Sequence, residues 1–154
     1  MFRPKNILAP TDFSEDSNQA FRTALSIAAA YKARIFLLHV ISDTMQRSLS
    51  EYCHDTNIVN RVLSEGIVYS NEKLREMIDK AQNNGNVKII ADVRKGQPYE
   101  EILKEASERK IDLIVIAPHG ETGLKKYFIG SVTEKVMKES RCPVLLVRGQ
   151  DKGE

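Results

Sequence analysis

Residues 113–136 read L-I-V-I-A-P-H-G-E-T-G-L-K-K-Y-F-I-G-S-V-T-E-K-V. Leu113 to Ala117 is an unbroken apolar run rich in β-branched residues, too short for a helix, and it is the most strand-like stretch in the chain. It runs into Pro118, Gly120 and Gly123, a loop that no helix passes through intact. A helix begins at about Ser131, with Val132, Val136 and Met137 on its buried side. Pro143 then precedes a last apolar run, Val144 to Val147.

The same strand-then-helix alternation extends toward the N-terminus. Asn6 to Thr11 is a short buried strand that enters a turn at Pro10, Thr11 and Asp12. Ser14 is an N-cap, Glu15 and Asp16 place acid in the first turn, and Ala20, Phe21, Ala24, Leu25 and Ala28 share one helical face. Ala33 to Ile41 reads as a strand buried on both faces, hence parallel. Residues 42–60 show no clean period and read as a long loop with room for a helical turn, a segment placed to fold over a ligand. Helix returns at Tyr69 to Ala81 on Leu74, Met77, Ile78 and Ala81, and stops at Asn83, Asn84 and Gly85. Val87 to Val93 is a weakly alternating strand. Gly96, Gln97 and Pro98 turn the chain into a helix marked by Tyr99, Ile102, Leu103 and Ala106, ending near Arg109 and Lys110. Five strands alternating with four helices predict an α/β fold: a single doubly wound five-stranded parallel sheet with helices on both faces and right-handed crossovers.

Composition narrows the class. The chain has 154 residues, 42% hydrophobic and 29% charged, with a net charge of +2, which suits one globular domain over 1–148 and a polar tail over 149–154, and excludes a disordered chain. No apolar run approaches the roughly 18 residues of a membrane span. The opening M-F-R-P-K-N has no signal-peptide pattern, so a cytoplasmic protein without membrane attachment is expected. Cys53 and Cys142 have no partnering pattern. Cys53, His54 and Asp55 are adjacent and read as an uninvolved loop rather than a metal site. The small charge and few aromatics give no footprint for nucleic acid.

In a doubly wound sheet, ligands bind outside the carboxyl ends of the strands. Those ends carry Pro10, Thr11 and Asp12; His39 and Val40; and Ala117, Pro118, His119 and Gly120. Gly120 and Gly130 permit close backbone approach to an anion, and the amides opening the last helix offer donors at its positive dipole end. Ser131 and Thr133 add hydroxyls. From Gly120 to Arg148 there are six Lys or Arg against three Glu, a local excess of three positive charges. No Walker P-loop occurs. A competing reading takes Ser131 and Glu134 as a capping box that satisfies only its own helix, with Gly120 and Gly123 as turn glycines and Lys125 and Lys126 as a solvated face. His119 reads as an exposed loop histidine. No nucleophile paired with a base is found, so no catalytic residue is assigned.

The segments K-N-I-L-A-P-T-D-F-S, L-L-H-V, G-Q-P, H-G-E-T-G-L-K-K-Y-F-I-G-S-V-T-E-K-V and C-P-V-L-L-V resemble the universal stress protein family over nearly the whole chain. The ATP-binding branch of that family carries G-x2-G-x9-G-[S/T]. Here the spacing is kept as Ala117, Gly120, Gly130 and Ser131, with Ala117 in place of the first glycine. The resemblance implies a Rossmann-like fold of the adenine nucleotide alpha hydrolase type and an ATP-binding, homodimeric regulatory protein of the stress response. It implies that Asp12 and the backbone of Val40 hold adenine, that Pro10 and Thr11 line the pocket, and that Ala117 approaches the ribose. Gly120, Gly130, Ser131, Val132 and Thr133 would contact the phosphates through amides and hydroxyls, and the phosphates would carry Mg²⁺ or Mn²⁺. The homodimer would form by antiparallel pairing of Val144, Leu145, Leu146 and Val147 with their copies. Two other functions are compatible: a stress protein that works through its dimer surface without nucleotide, and a slow ATP hydrolase. Ala117 adds one methyl, which is costly wherever the backbone needs a positive φ.

Overall fold

In the computed structural model the apolar runs become β1 (Asn6–Pro10), β2 (Arg34–Ser42), β3 (Ile89–Gly96), β4 (Leu113–Ile116) and β5 (Val144–Leu146). The structure describes residues 1–83, 85–118 and 128–149. All neighbouring strands pair in parallel, in the order β3-β2-β1-β4-β5. The chain thus winds outward from β1 to β3, then returns to place β4 on the other side of β1. The switch point lies between β1 and β4.

Among the described residues five helices, α1 (Glu15–Tyr31), α2 (Asp43–Tyr52), α3 (Thr56–Gln82), α4 (Pro98–Glu108) and α5 (Ser131–Glu139), cover the two faces. Alternate strand residues decide which face is which. Ile7, Ala9, Ile35, Leu37 and Val115 pack with Ala20, Phe21, Ala24 and Ala28 of α1 and Leu74 of α3. Leu8, Phe36, Leu38, Ile114 and Ile116 pack with Ile102 of α4 and Val136 of α5. Both layers are buried, as parallel sheets require.

The helix count corrects the expectation of four, and residues 42–60 are not a long loop. They form α2 and the start of α3, separated by Cys53, His54 and Asp55. Ser42 and Asp55 cap these helices, Ser42 Oγ accepting from Thr44 N and Asp55 Oδ1 from Asn57 N. Burial explains the missing apolar period: α2 buries no residue fully. The stripe of α3, Val59, Leu63, Ser70 and Leu74, is interrupted by a serine whose hydroxyl turns back to Gly66 O.

β3 departs from an apolar strand because Arg94 stands in it. Arg94 pairs with Glu101, Glu105 and Glu108, and Arg109 lies 3.4 Å from Glu105 Oε1. Glu105 is fully buried. Burial of Arg94 opposes its charge, but the hydrogen bonds it donates to Glu101, Glu108 and Glu105 outweigh it and hold the guanidinium above its ordinary range. The knot fastens α4 to the sheet. At the turn between them Gly96 has φ 151°, and a Cβ there would lie 2.9 Å from Glu101 Oε1, so only glycine fits.

Candidate functional site

A cavity of about 220 Å³ opens at the carboxyl ends of β1, β2 and β4, at the switch point. Its walls include Pro10, Thr11, Asp12 and Val40 from the first half of the chain and Ala117, Val132 and Thr133 from the second. Seven residues singled out in the sequence therefore meet on one cavity. Ser17, Leu38, Pro98, Ile102 and Ile116 complete it and were missed. Their signal was the winding itself: α4 and α5 share a face, so the start of α4 must stand over the ends of these strands.

Asp12 and Thr11 are held by the turn that opens α1. Asp12 Oδ1 accepts from Ser14 N at 3.0 Å, and Thr11 Oγ1 accepts from Phe13 N at 3.1 Å. Thr11 Oγ1 also lies 3.1 Å from Ser17 Oγ. The Thr11 hydroxyl is thus engaged within the protein, whereas Asp12 Oδ2 has no hydrogen-bond partner among the described residues. Phe13 carries φ 67°, unusual for a bulky side chain. Its ring stacks on His39 at 4.3 Å, and His39 Nδ1 lies 2.8 Å from Thr11 O. The turn bearing Asp12 is therefore braced from β2.

On the far side, Gly130 is the N-cap of α5, with φ −63° and ψ 155° and no side-chain cap bond. This overturns the capping-box reading of Ser131 and Glu134. Ser131 is already the first helical residue and is exposed. Glu134 instead accepts from Lys138 Nζ at 2.6 Å, and that bond, with the ammonium charge, holds its carboxyl below the usual range. The Gly130 amide donates to Pro118 O at 2.7 Å. The N–H groups of Ser131, Val132 and Thr133 have no recorded acceptor among the described residues, as expected at a helix N-terminus. Gly130 and Ser131 adjoin the cavity without lining it. Gly120, together with His119, Gly123, Lys125 and Lys126, lies outside the described residues.

Ala117 is 6% exposed and lines the cavity. Positive φ outside glycine is confined, among the described residues, to Phe13, Lys32 and Lys110. The methyl of Ala117 therefore imposes no backbone strain. Among the described residues no group of three His, Cys, Asp or Glu could hold a metal ion, and no helix is long and apolar enough to cross a membrane.

The model of the universal stress protein family matches residues 4–148. The chain belongs to that family. Among its relatives, universal stress protein MJ0531 of Methanocaldococcus jannaschii is 32% identical over 94% of this chain and 82% of its own. Universal stress protein YxiE of Bacillus subtilis is 34% identical over 92% and 97%. The solved structure of MJ0577 matches at a TM-score of 0.81 with 32% identity, covering 96% of this chain and 98% of the other. Another family structure, solved in complex with cAMP, has a TM-score of 0.69 at 24% identity and covers 96% and 98%. At that identity it speaks for the Rossmann-like fold alone.

Proposed function

We propose that the chain binds an adenine nucleotide, ATP first, in the cavity between β1 and β4, as a nucleotide-dependent regulatory protein of the cytoplasmic stress response. The observation that carries this reading is the convergence of Pro10, Thr11, Asp12, Val40, Ala117, Val132 and Thr133 on one cavity. Its apolar walls suit a base, and Asp12 Oδ2, which has no hydrogen-bond partner among the described residues, suits an amino group on the edge of that base. The uncapped amides of α5 suit anionic phosphate, whose charge the helix dipole favours. The resemblance to the ATP-binding signature of the family, kept here as Ala117, Gly120, Gly130 and Ser131, makes an adenine nucleotide the ligand class to test first. Mg²⁺ or Mn²⁺ would arrive on the phosphates, since Mg²⁺ commonly keeps its waters and binds through them.

Homodimerisation through Val144 to Val147 belongs to the same proposal. β5 is an edge strand of three residues, and Leu145 is exposed there. An unpaired edge is a template for a second strand. Sedimentation at micromolar concentration is expected to give a dimer; a monomer contradicts this part. A second reading, an interaction protein that holds no nucleotide, is favoured by the methyl that Ala117 adds to the cavity wall.

Ion-pair chromatography of the denatured, freshly purified protein separates the two. Adenine nucleotide released in stoichiometric amount supports the first reading. None released, with none bound on adding ATP and Mg²⁺, supports the second.

A further inference from the structure

We infer that Thr133 is a positioning residue of the nucleotide site, acting through Ala117 and not on the ligand; this rests on the nucleotide-binding reading above and says how the site is held. Thr133 Oγ1 donates to Ala117 O at 2.8 Å, across sixteen residues of chain, and both residues are buried in the cavity wall. β4 ends at Ile116, whose carbonyl accepts from Val147 N. The Ala117 carbonyl is thus the first one past the ladder. A buried carbonyl without a partner is costly, and here a helix side chain replaces the missing strand.

The next residue is tied in the same way, Gly130 N donating to Pro118 O at 2.7 Å. Two successive carbonyls at the end of β4 are therefore fastened to the first turn of α5. One fastening uses a backbone amide and survives most substitutions. The other depends wholly on the Thr133 hydroxyl. It sets the separation between Ala117, on one wall, and the free amides of Ser131 to Thr133.

A hydroxyl carries a single proton, so Thr133 cannot donate both to Ala117 O and to a phosphate oxygen. The lone pairs that remain are acceptors and repel a phosphate oxygen. Its hydroxyl therefore contributes to binding by geometry. Loss of such a bond should displace the wall for every ligand that touches it, whether or not the ligand carries phosphate.

Calorimetric titration of adenosine and of ATP with Mg²⁺ into wild type, Thr133→Val and Thr133→Ser distinguishes the possibilities, with thermal unfolding as the control for folding. The expected result is that Thr133→Val weakens adenosine and ATP by a similar factor, about five- to tenfold, and that Thr133→Ser restores both. Weakening of ATP alone would mean a direct phosphate contact and would overturn the inference. Unchanged binding in a folded Thr133→Val, or failure of serine to restore it, would overturn it as well. Thr133→Ala carries the same test if the valine variant does not fold. A wild type that binds neither ligand overturns the nucleotide reading itself, and the positioning role with it; a wild type that binds both isolates the role of Thr133.

Discussion

At Ala117 a methyl stands where the glycine spacing of the family signature has none, and its backbone is ordinary. Ala117→Gly is therefore expected to cost stability, by roughly 0.5–1 kcal/mol from backbone entropy, in denaturant unfolding; a gain would mean hidden strain. Gly130 makes the complementary case, because φ −63° is open to any residue. Gly130→Ala should cost about 0.5–1 kcal/mol of unfolding free energy, alanine being a poorer N-cap than glycine, and lower ATP affinity if bare backbone must approach phosphate. Equal affinity would show that glycine serves no ligand there. At this scale the place of Pro10, Asp12 and Val40 on the cavity wall was legible because they stand at strand ends, where a doubly wound sheet opens its crevice. The committed hydroxyls of Thr11 and Thr133 were not, since their partners, Ser17 Oγ and Ala117 O, are chosen by packing across the fold. Nor was the positive φ of Phe13, which no propensity suggests.

The helices show a different limit. Apolar periodicity located α1, α4 and α5, each with a face against the sheet, but it missed α2 and the first half of α3. Those segments lie at the margin of the core, where few residues are buried and capping supplies the signal that apolar spacing lacks. Gly66 lies inside α3 with nothing within 4 Å of where a Cβ would be. Gly66→Ala should raise stability by about 1 kcal/mol; a loss in chemical denaturation would mean that α3 is not helical there. The Arg94 knot behaves oppositely. Arg94→Met removes the hydrogen-bonded partner of the fully buried carboxylate of Glu105, leaving it Arg109 at 3.4 Å, and should destabilise by about 3 kcal/mol. Adding Glu105→Leu should recover much of that loss, and the absence of recovery would deny that the buried charge is its source.

For the molecule as a whole, alternation of strands and helices sufficed for a parallel sheet, and one structural rule, that chain reversal opens a crevice, sufficed to say where the cavity lies. What sequence order could not supply is which helices close that crevice: Pro98 and Ile102 of α4 enter it only because α4 and α5 pack on one face. The order β3-β2-β1-β4-β5 brings Asp12 and Ala117, more than a hundred residues apart, onto one cavity. The function of the protein turns on whether that cavity is a nucleotide site. Calorimetric titration of ATP with Mg²⁺ into the wild type and Asp12→Ala tests it most directly. Saturable one-site heat in the wild type, abolished in a folded Asp12→Ala variant, is the predicted result; no heat in the wild type, or equal heat in both, contradicts it.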